Sequence, residues 1–321
     1  MSKTKYILKR ILLMLLTLFI ITTICFMLIR LLPRELPTDK ALAAIVAERE
    51  EAQGLNEPLL VQYFLYLKNL FLHFDLGTSW YIAPGTQVSE LLADRLLPTV
   101  LINVYSLLIS APLGILLGVC AAIFKNRAAD HAVSAGIMLF VSVPSYVYAF
   151  LLQYIFYFKL GWFPQVMYSL ADAGGSWFSP RMLHSMVLPV LALSFGEIAS
   201  LCRYTRAELG EALRSDYMLL ARAKGLSPYG ATVRHALKNA MVPILPIIVA
   251  GFVGVLEGSV IIEQIFSIPG VGQLYVNSVK LLDYDVFMAD SIFYTFIGLS
   301  AQIVIDVCYG LIDPRIRIGE R

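Results

Sequence analysis

The sequence predicts an all-α protein that crosses a membrane about six times. Of its 321 residues, 58% are hydrophobic and 15% are charged, and the mean hydropathy is +0.73. In a soluble domain about a quarter of the residues are charged. A protein whose surface faces only water could not accommodate this composition. The apolar residues also gather in long runs, and about 20 such residues cross about 30 Å of hydrocarbon as a helix.

The apolar runs define the predicted spans. The first, 11–29, is uncharged and ends at Arg30-Leu31-Leu32-Pro33 rather than at small residues. We therefore interpret it as a retained anchor and not as a cleaved signal. The other predicted spans lie within 96–124 and 132–158, and at about 182–202, 239–262 and 291–312.

The distribution of basic residues orients the spans. Most of the 25 Lys and Arg residues lie at the N-terminus, at 125–127, within 203–238 and at the C-terminus. With an even number of spans these segments share one side, and a Lys/Arg excess marks the cytoplasmic side. Both termini are therefore predicted to be cytoplasmic.

The spans also divide the chain. We expect a cytoplasmic N-terminus with the first span (1–33), an external amphipathic segment (34–95), a five-span core (96–312) with the cytoplasmic loop 203–238, and a cytoplasmic tail (313–321). The external segment is too polar to span and too aromatic to be disordered. Residues 161–181 are predicted to form a loop. Residues 266–290, with Pro269, Gly270 and Gly272, are expected to re-enter or turn near the outer interface.

The sequence lacks the motifs of several familiar chemistries. It has no G-x-x-x-x-G-K-[ST] phosphate loop, no H-E-x-x-H and no G-x-S-x-G. The four histidines and four cysteines are scattered without ligand spacing. We therefore predict no catalytic residue, no bound metal and no cofactor. A net charge of +2, with basic residues beside the spans, gives no surface for nucleic acid.

Three predicted spans contain an acid, namely Glu197, Glu257 and Asp306. An ionisable group within a span is a functional hypothesis by default. The acids could serve an ion-coupled secondary transporter, or pair in a membrane-embedded enzyme. They could equally form hydrogen bonds between helices, and the sequence does not decide among these readings.

The loop 203–238 has the clearest local signals. Residues 216–224 favour a helix that ends at Gly225, a residue suited to φ > 0. Ser227 then offers an N-cap, with Pro228 at the first helical position of a second helix that runs to about residue 239. Leu226, Tyr229, Val233 and Leu237 recur at helical spacing. Such an apolar stripe predicts either a partner's groove or the lipid surface.

The loop resembles the EAA loop of ABC importer permeases. The matching residues are Ala221-Arg-Ala-Lys-Gly-Leu226 and Arg234-His-Ala-Leu-Lys-Asn239, and the closer resemblance is to the B-type subunit of the oligopeptide/dipeptide/nickel family. The general pattern has an acid where Leu219 stands and a proline where Lys238 stands. Further resemblances follow in order along the chain: Tyr6–Leu12 with Arg30–Pro33, Asp75-Leu-Gly-Thr-Ser79, Leu97-Pro-Thr99, Gly258–Phe266 with Pro269, Gly270 and Gly272, and Asp306–Tyr309 with Asp313–Arg317.

The resemblance, which covers nearly the whole chain, implies the type I ABC importer permease fold and an inner-membrane location in a prokaryote. It implies a coupling helix that docks on an ATPase, formed by Ala221, Lys224, Gly225, Leu226, Ser227, Pro228, Tyr229, Val233, His235 and Leu237. Glu197, Glu257, Glu263 and Asp306 become candidates for the translocation path or its gate. The implied partners are a homologous permease subunit, two ATPase subunits that bind ATP and Mg, and an external solute-binding protein. The implied substrates are di- or oligopeptides, with nickel as the alternative.

Overall fold

The structure is a computed structural model that describes residues 3–32, 47–48, 51, 54–256 and 258–312. Within these residues the only strand-like feature is an isolated bridge between Thr78 and Gln87. Five helices are long and apolar enough to cross a membrane, and a sharply bent helix pair makes a sixth crossing if it is one span. The predicted all-α membrane protein with about six spans is confirmed.

The helices are numbered here in chain order. They are α1 (Lys3–Leu31), α2 (Leu59–Lys68, extended by a π-helical turn, Asn69–His73), α3 (Val88–Ile123), α4 (Ala128–Ser142), α5 (Ser145–Lys159), α6 (Pro180–Ala212), α7 (Asp216–Ala223), α8 (Pro228–Gly254), α9 (Val260–Ile265), α10 (Val271–Leu281) and α11 (Tyr284–Ile312). We call the side of the membrane that holds residues 203–238 the loop side, and the opposite side the far side.

The predicted third span is broken rather than continuous. Helices α4 and α5 meet at an angle of 100°. Pro144 lies at the break, and Val143 before it is extended, with φ −100° and ψ 126°. A proline disfavours helical geometry in the residue that precedes it, and it has no N–H to continue the helix. Pro112 and Pro189 nevertheless remain inside α3 and α6.

The predicted fifth span is also shorter than its apolar run. Helix α8 ends at Gly254, and the separate short helix α9 begins at Val260. Gly258, with φ +65°, interrupts the helical path, and the Ser259 hydroxyl then caps α9 by accepting from the Ile262 N–H at 3.4 Å. Residues 266–270 join α9 to α10, and α10 lies within the segment 266–290 that the sequence predicts to re-enter or turn near the outer interface.

The centre of the bundle is the crossing of α3 on α6. A Cβ atom at Gly118 would lie 2.5 Å from the Thr205 Cβ, and one at Gly114 would lie 2.7 Å from the Leu201 Cβ. Glycine therefore permits a backbone approach that any larger residue would block, as is usual where membrane helices pack. Farther along the same crossing, the Ser106 and Ser194 hydroxyls lie 3.1 Å apart.

Gly118→Ala should destabilise the protein because the added methyl group would overlap Thr205. We expect a loss of about 1–3 kcal/mol, measured as a lower midpoint of thermal unfolding in detergent. Gly136→Ala is the matched control, since Gly136 also lies within a helix and has no atom within 4 Å of an added Cβ. Equal midpoints for the two variants would show that the α3–α6 approach is not tight.

Candidate coupling loop and the carboxylates around it

The predicted glycine turn between the two loop helices is present. Gly225 has φ +86°. Its N–H donates to the Arg222 carbonyl at 2.9 Å, and the Leu226 N–H donates to the Ala221 carbonyl at 3.2 Å. This is the Schellman arrangement, in which a left-handed residue closes the end of a helix. Ala221 therefore provides both the accepting carbonyl and a small buried side chain.

The predicted cap of the second helix is present as well. The Gly230 N–H donates to the Ser227 hydroxyl at 3.1 Å, and Pro228 occupies the first turn. The helix that begins there does not stop at the membrane. It passes through a π-helical turn, Thr232–Leu237, and continues as α8 to Gly254. The loop helix and the span are thus one continuous helix.

The four apolar residues predicted to form one stripe are divided between two faces. Leu226 and Leu237 pack partly inward, against a buried cluster that includes Leu209 and Met218. Tyr229 is 79% exposed and Val233 is 43% exposed. The stripe divides because Ala231, Ala236 and Ala240 form the face that packs on the bundle. The exposed face of the hairpin also carries Lys224, Ser227, Pro228 and His235.

An ion pair that sequence reasoning missed joins two helices of the bundle at the loop-side end of α6. The Arg206 guanidinium donates to both carboxylate oxygens of Asp130, at 2.6 and 3.0 Å. The Asp130 side chain is only 2% exposed, and it also accepts from the Asn126 N–H at 2.9 Å. The pair joins the first turn of α4 to the loop-side end of α6. No local pattern signals it, because the partners are 76 positions apart.

Glu197 links α6 to α3 near the middle of the bundle. The Ser110 hydroxyl donates to its carboxylate at 2.6 Å, and the Ser106 hydroxyl lies 3.4 Å from the same oxygen. The glutamate itself is exposed on the surface of the isolated chain. One carboxylate oxygen is therefore held by the bundle, while the group faces outward from a spanning helix.

Glu263 lies 2% exposed where α9, α10 and α3 meet. Its carboxylate accepts from the Thr99 hydroxyl at 2.8 Å and from the Gln273 N–H at 3.0 Å. A Cβ atom at Gly258 or Gly270 would lie 2.6 or 2.5 Å from that carboxylate, so the glycines leave it room. Burial raises the pKa of Glu263, and the hydrogen bonds oppose the shift. The glycine-rich stretch around Glu263 is thus a packed junction.

The other predicted acids have different surroundings. Asp306 forms an ion pair with Arg10 of α1, with 2.9 Å between Nη2 and the carboxylate oxygen. The Gln302 side-chain amide also lies 3.4 Å from this carboxylate. Asp306 therefore takes part in the contact between α1 and α11. Glu257 lies outside the described residues.

A second carboxylate cluster, also missed, fastens the Asp75–Ser79 element to α11 on the far side. Asp283 accepts from the Ser79 hydroxyl at 2.7 Å and from the N–H groups of Tyr81 and Ile82 at 3.0 Å each. Asp285 accepts from the Thr78 N–H at 3.3 Å. The sequence has a recognisable motif only at Asp75–Ser79, so Asp283 and Asp285 on the other side of the contact are not among the predicted site residues. Among the described residues, no group of three or more His, Cys, Asp or Glu side chains is arranged to hold a metal ion.

The fold and this site define a multi-pass membrane protein whose loop-side hairpin is continuous with a span. Two family models match the chain. One, described as "Binding-protein-dependent transport system inner membrane component", matches residues 114–318, and the other, described as "Binding-prot-dependent transport system membrane comp, N-term", matches residues 3–104. The chain belongs to this family of inner membrane components of binding-protein-dependent transport systems.

Curated relatives match the chain over nearly its full length. The dipeptide transport system permease protein DppB of Bacillus subtilis is 34% identical over 99% of this chain and 99% of that protein. DppB of Lactococcus lactis subsp. cremoris is 38% identical over 98% of this chain and 99% of that protein. The oligopeptide transport system permease protein OppB of Salmonella typhimurium is 37% identical over 98% and 99%, respectively.

Exchanging the charges of Arg10 and Asp306 should separate a structural role from an ion-carrying role. Arg10→Asp alone should destabilise the protein by about 1 kcal/mol, because it loses a partly exposed ion pair and sets two acids together. Adding Asp306→Arg should restore most of the stability and of the transport activity. The measurements are the unfolding midpoint and substrate uptake in proteoliposomes. Uptake that is abolished in the doubly exchanged protein, despite restored stability, would identify Asp306 as an ion ligand.

Proposed function

We propose that this chain is one of two membrane subunits of an ATP-driven ABC importer for di- or oligopeptides. Three relatives named as dipeptide or oligopeptide permease proteins, from three organisms, are 34%, 38% and 37% identical to it. Each match covers 98% or more of both chains, so the likeness extends beyond a shared core. A homologous permease subunit, two ATPase subunits and an external solute-binding protein would complete the importer.

The observation that carries the mechanism is the continuity of the loop hairpin with a span. The hairpin presents Tyr229 and Val233 outward, 79% and 43% exposed, while its alanine face is fixed to the bundle. An exposed aromatic beside an apolar side chain on a short helix suits a groove on a partner protein. A displacement of this helix would be transmitted directly, because α8 runs without a break from Pro228 to Gly254.

Glu197 indicates which face of the bundle borders the translocation path. It is exposed on α6 although α6 is long and apolar enough to cross the membrane. A carboxylate that faced lipid would be costly, so such groups face a water-filled path or another subunit. The buried Ser110 hydroxyl donates to this carboxylate and holds one of its oxygens against α3. The second permease subunit would close the path opposite Glu197.

The orientation follows from the charge bias. The basic residues of the N-terminus, the loop 203–238 and the C-terminus favour a cytoplasmic position for the loop side. ATP and Mg would bind there to the partner ATPases, and the solute-binding protein would dock on the far side. An ion-coupled transporter has less support, since Asp306 is paired with Arg10 and Glu197 is held by Ser110.

Replacing Gly225 should uncouple the chain from its ATPase partners. A side chain at φ +86° is strained by about 1–2 kcal/mol, which would distort the hairpin. We expect Gly225→Val to reduce co-purification of P-loop ATPase subunits about tenfold, since about 1.4 kcal/mol changes an equilibrium tenfold. Gly174→Val is the matched control, because Gly174 also has a positive φ, +82°, and lies in the loop 161–179 away from the hairpin. Full ATPase binding and transport by Gly225→Val would contradict the proposal.

The substrate class can be tested by stimulation of ATP hydrolysis. The complex, reconstituted with its cognate solute-binding protein, should hydrolyse ATP several-fold faster when a mixture of di- and oligopeptides is added. Nickel ions alone should give no increase. Stimulation by nickel and not by peptides would leave the importer in place but reverse the choice of substrate.

A further inference from the structure

An exposed apolar surface covers the helix that follows the first span. Helix α2, its π-helical turn and the residue that follows expose several large side chains by more than half of their area: Leu60, Phe64, Phe71, Leu72 and Phe74 at 64, 67, 61, 69 and 87%. Soluble surfaces rarely expose so large a contiguous apolar area. The sequence places this helix in a segment outside the membrane, where such a surface would face water. We name these five side chains the α2 apolar face.

The depth of α2 follows from the residues it contacts on α1. The Tyr63 hydroxyl hydrogen-bonds the Thr23 hydroxyl at 2.6 Å. The rings of Tyr63 and Tyr66 lie 5.2 and 5.3 Å from the Phe26 ring. Arg30 ends the uncharged run of α1, and a helix rises about 1.5 Å per residue. Thr23 therefore lies about 10 Å, and Phe26 about 6 Å, inside the level of Arg30.

The two sides of α2 differ in the way this depth requires. On the side toward the protein, Gln62 and Asn69 line a cavity of about 240 Å³ together with Arg30, Asp75 and Asp285. The Gln62 amide also donates to the Leu55 and Glu57 carbonyls at 3.0 and 2.7 Å. Gln62 and Asn69 therefore lie along one edge of α2, while Lys68 and His73 are exposed. Lys68 at the end of α2 has a chain long enough to reach the headgroup layer.

Helix α1 also exposes apolar side chains at the level where it contacts α2. Ile24 and Leu28, within the same stretch of α1 that α2 contacts, are 52 and 60% exposed. Helix α1 packs mainly on α11, so these exposed apolar side chains are suited to contact with acyl chains. Apolar helices that carry aromatic residues on one side and polar groups on the other lie in the plane of a membrane interface.

We infer that α2 and its π-helical turn lie within the far-side leaflet, with the α2 apolar face in contact with acyl chains. Under the proposed orientation the far-side leaflet is the outer leaflet. Only this identification of the leaflet rests on the proposed function. The first span would then be accompanied by a half-embedded helix rather than followed by a water-exposed domain. The leaflet, and not the solute-binding protein, would cover Phe64 and Leu60.

Nitroxide accessibility in proteoliposomes of the complete complex tests the inference. Phe64→Cys and Leu60→Cys would be spin-labelled in a chain whose four native cysteines are replaced by alanine. Leu16→Cys, on an exposed part of α1, is the lipid-facing control, and Asn56→Cys, exposed before α2, is the water-facing control. We expect the labels at positions 64 and 60 to collide with oxygen severalfold more often than with a water-soluble nickel chelate. The label at position 16 should behave in the same way. The label at position 56 should collide more often with the nickel chelate than with oxygen.

Two results would overturn the inference. Labels at 64 and 60 that match the one at 56 would place α2 in water, and labels shielded from both reagents would show that a protein subunit covers it. Peptide-stimulated ATP hydrolysis, measured in the same vesicles, separates failure of this inference from failure of the proposed function. If the cysteine-free chain does not assemble, Phe64→Trp in the native chain provides the second measurement. Added quenching by brominated acyl chains supports the leaflet position, and no added quenching contradicts it.

Discussion

The close approach of α3 and α6 is the constraint on which the other contacts depend. Gly118 lets the two backbones meet beside Thr205, and the next residue of α6, Arg206, donates to Asp130. Toward the middle of the bundle, the same crossing places Ser110 against Glu197. The loop hairpin packs on the loop-side end of this pair through Leu209. The candidate translocation path and the candidate coupling element therefore both pack on the same pair of helices, α3 and α6.

The features that could be predicted from the sequence are those with local causes. Gly225, Ser227 and Pro228 each act within a few residues, so the turn and the cap appear where they were expected. The breaks at Pro144 and Gly258 were not separable from ordinary kinks, because Pro112 stays within α3. Whether a proline breaks a span depends on neighbours that can satisfy the freed carbonyls, and those neighbours are distant in sequence.

The features that could not be predicted are contacts between distant segments. Asp130 with Arg206, and Asp283 with Ser79, are separated by 76 and 204 positions. The division of the loop stripe has the same origin: Tyr229 and Leu237 have similar apolar character, and only tertiary packing decides that Leu237 faces the bundle. The sequence shows that Asp306 lies within an apolar span, whereas its pairing with Arg10 depends on where α1 packs.

Under the proposed function, the exposed side of the hairpin meets an ATPase and not the membrane surface. The most direct measurement replaces Tyr229 with a photo-reactive benzoylphenylalanine in the intact complex and identifies the product of irradiation in native membranes. We predict a covalent adduct between this chain and a P-loop ATPase subunit. Adducts with lipid alone would contradict the claim and would make the hairpin an interfacial helix.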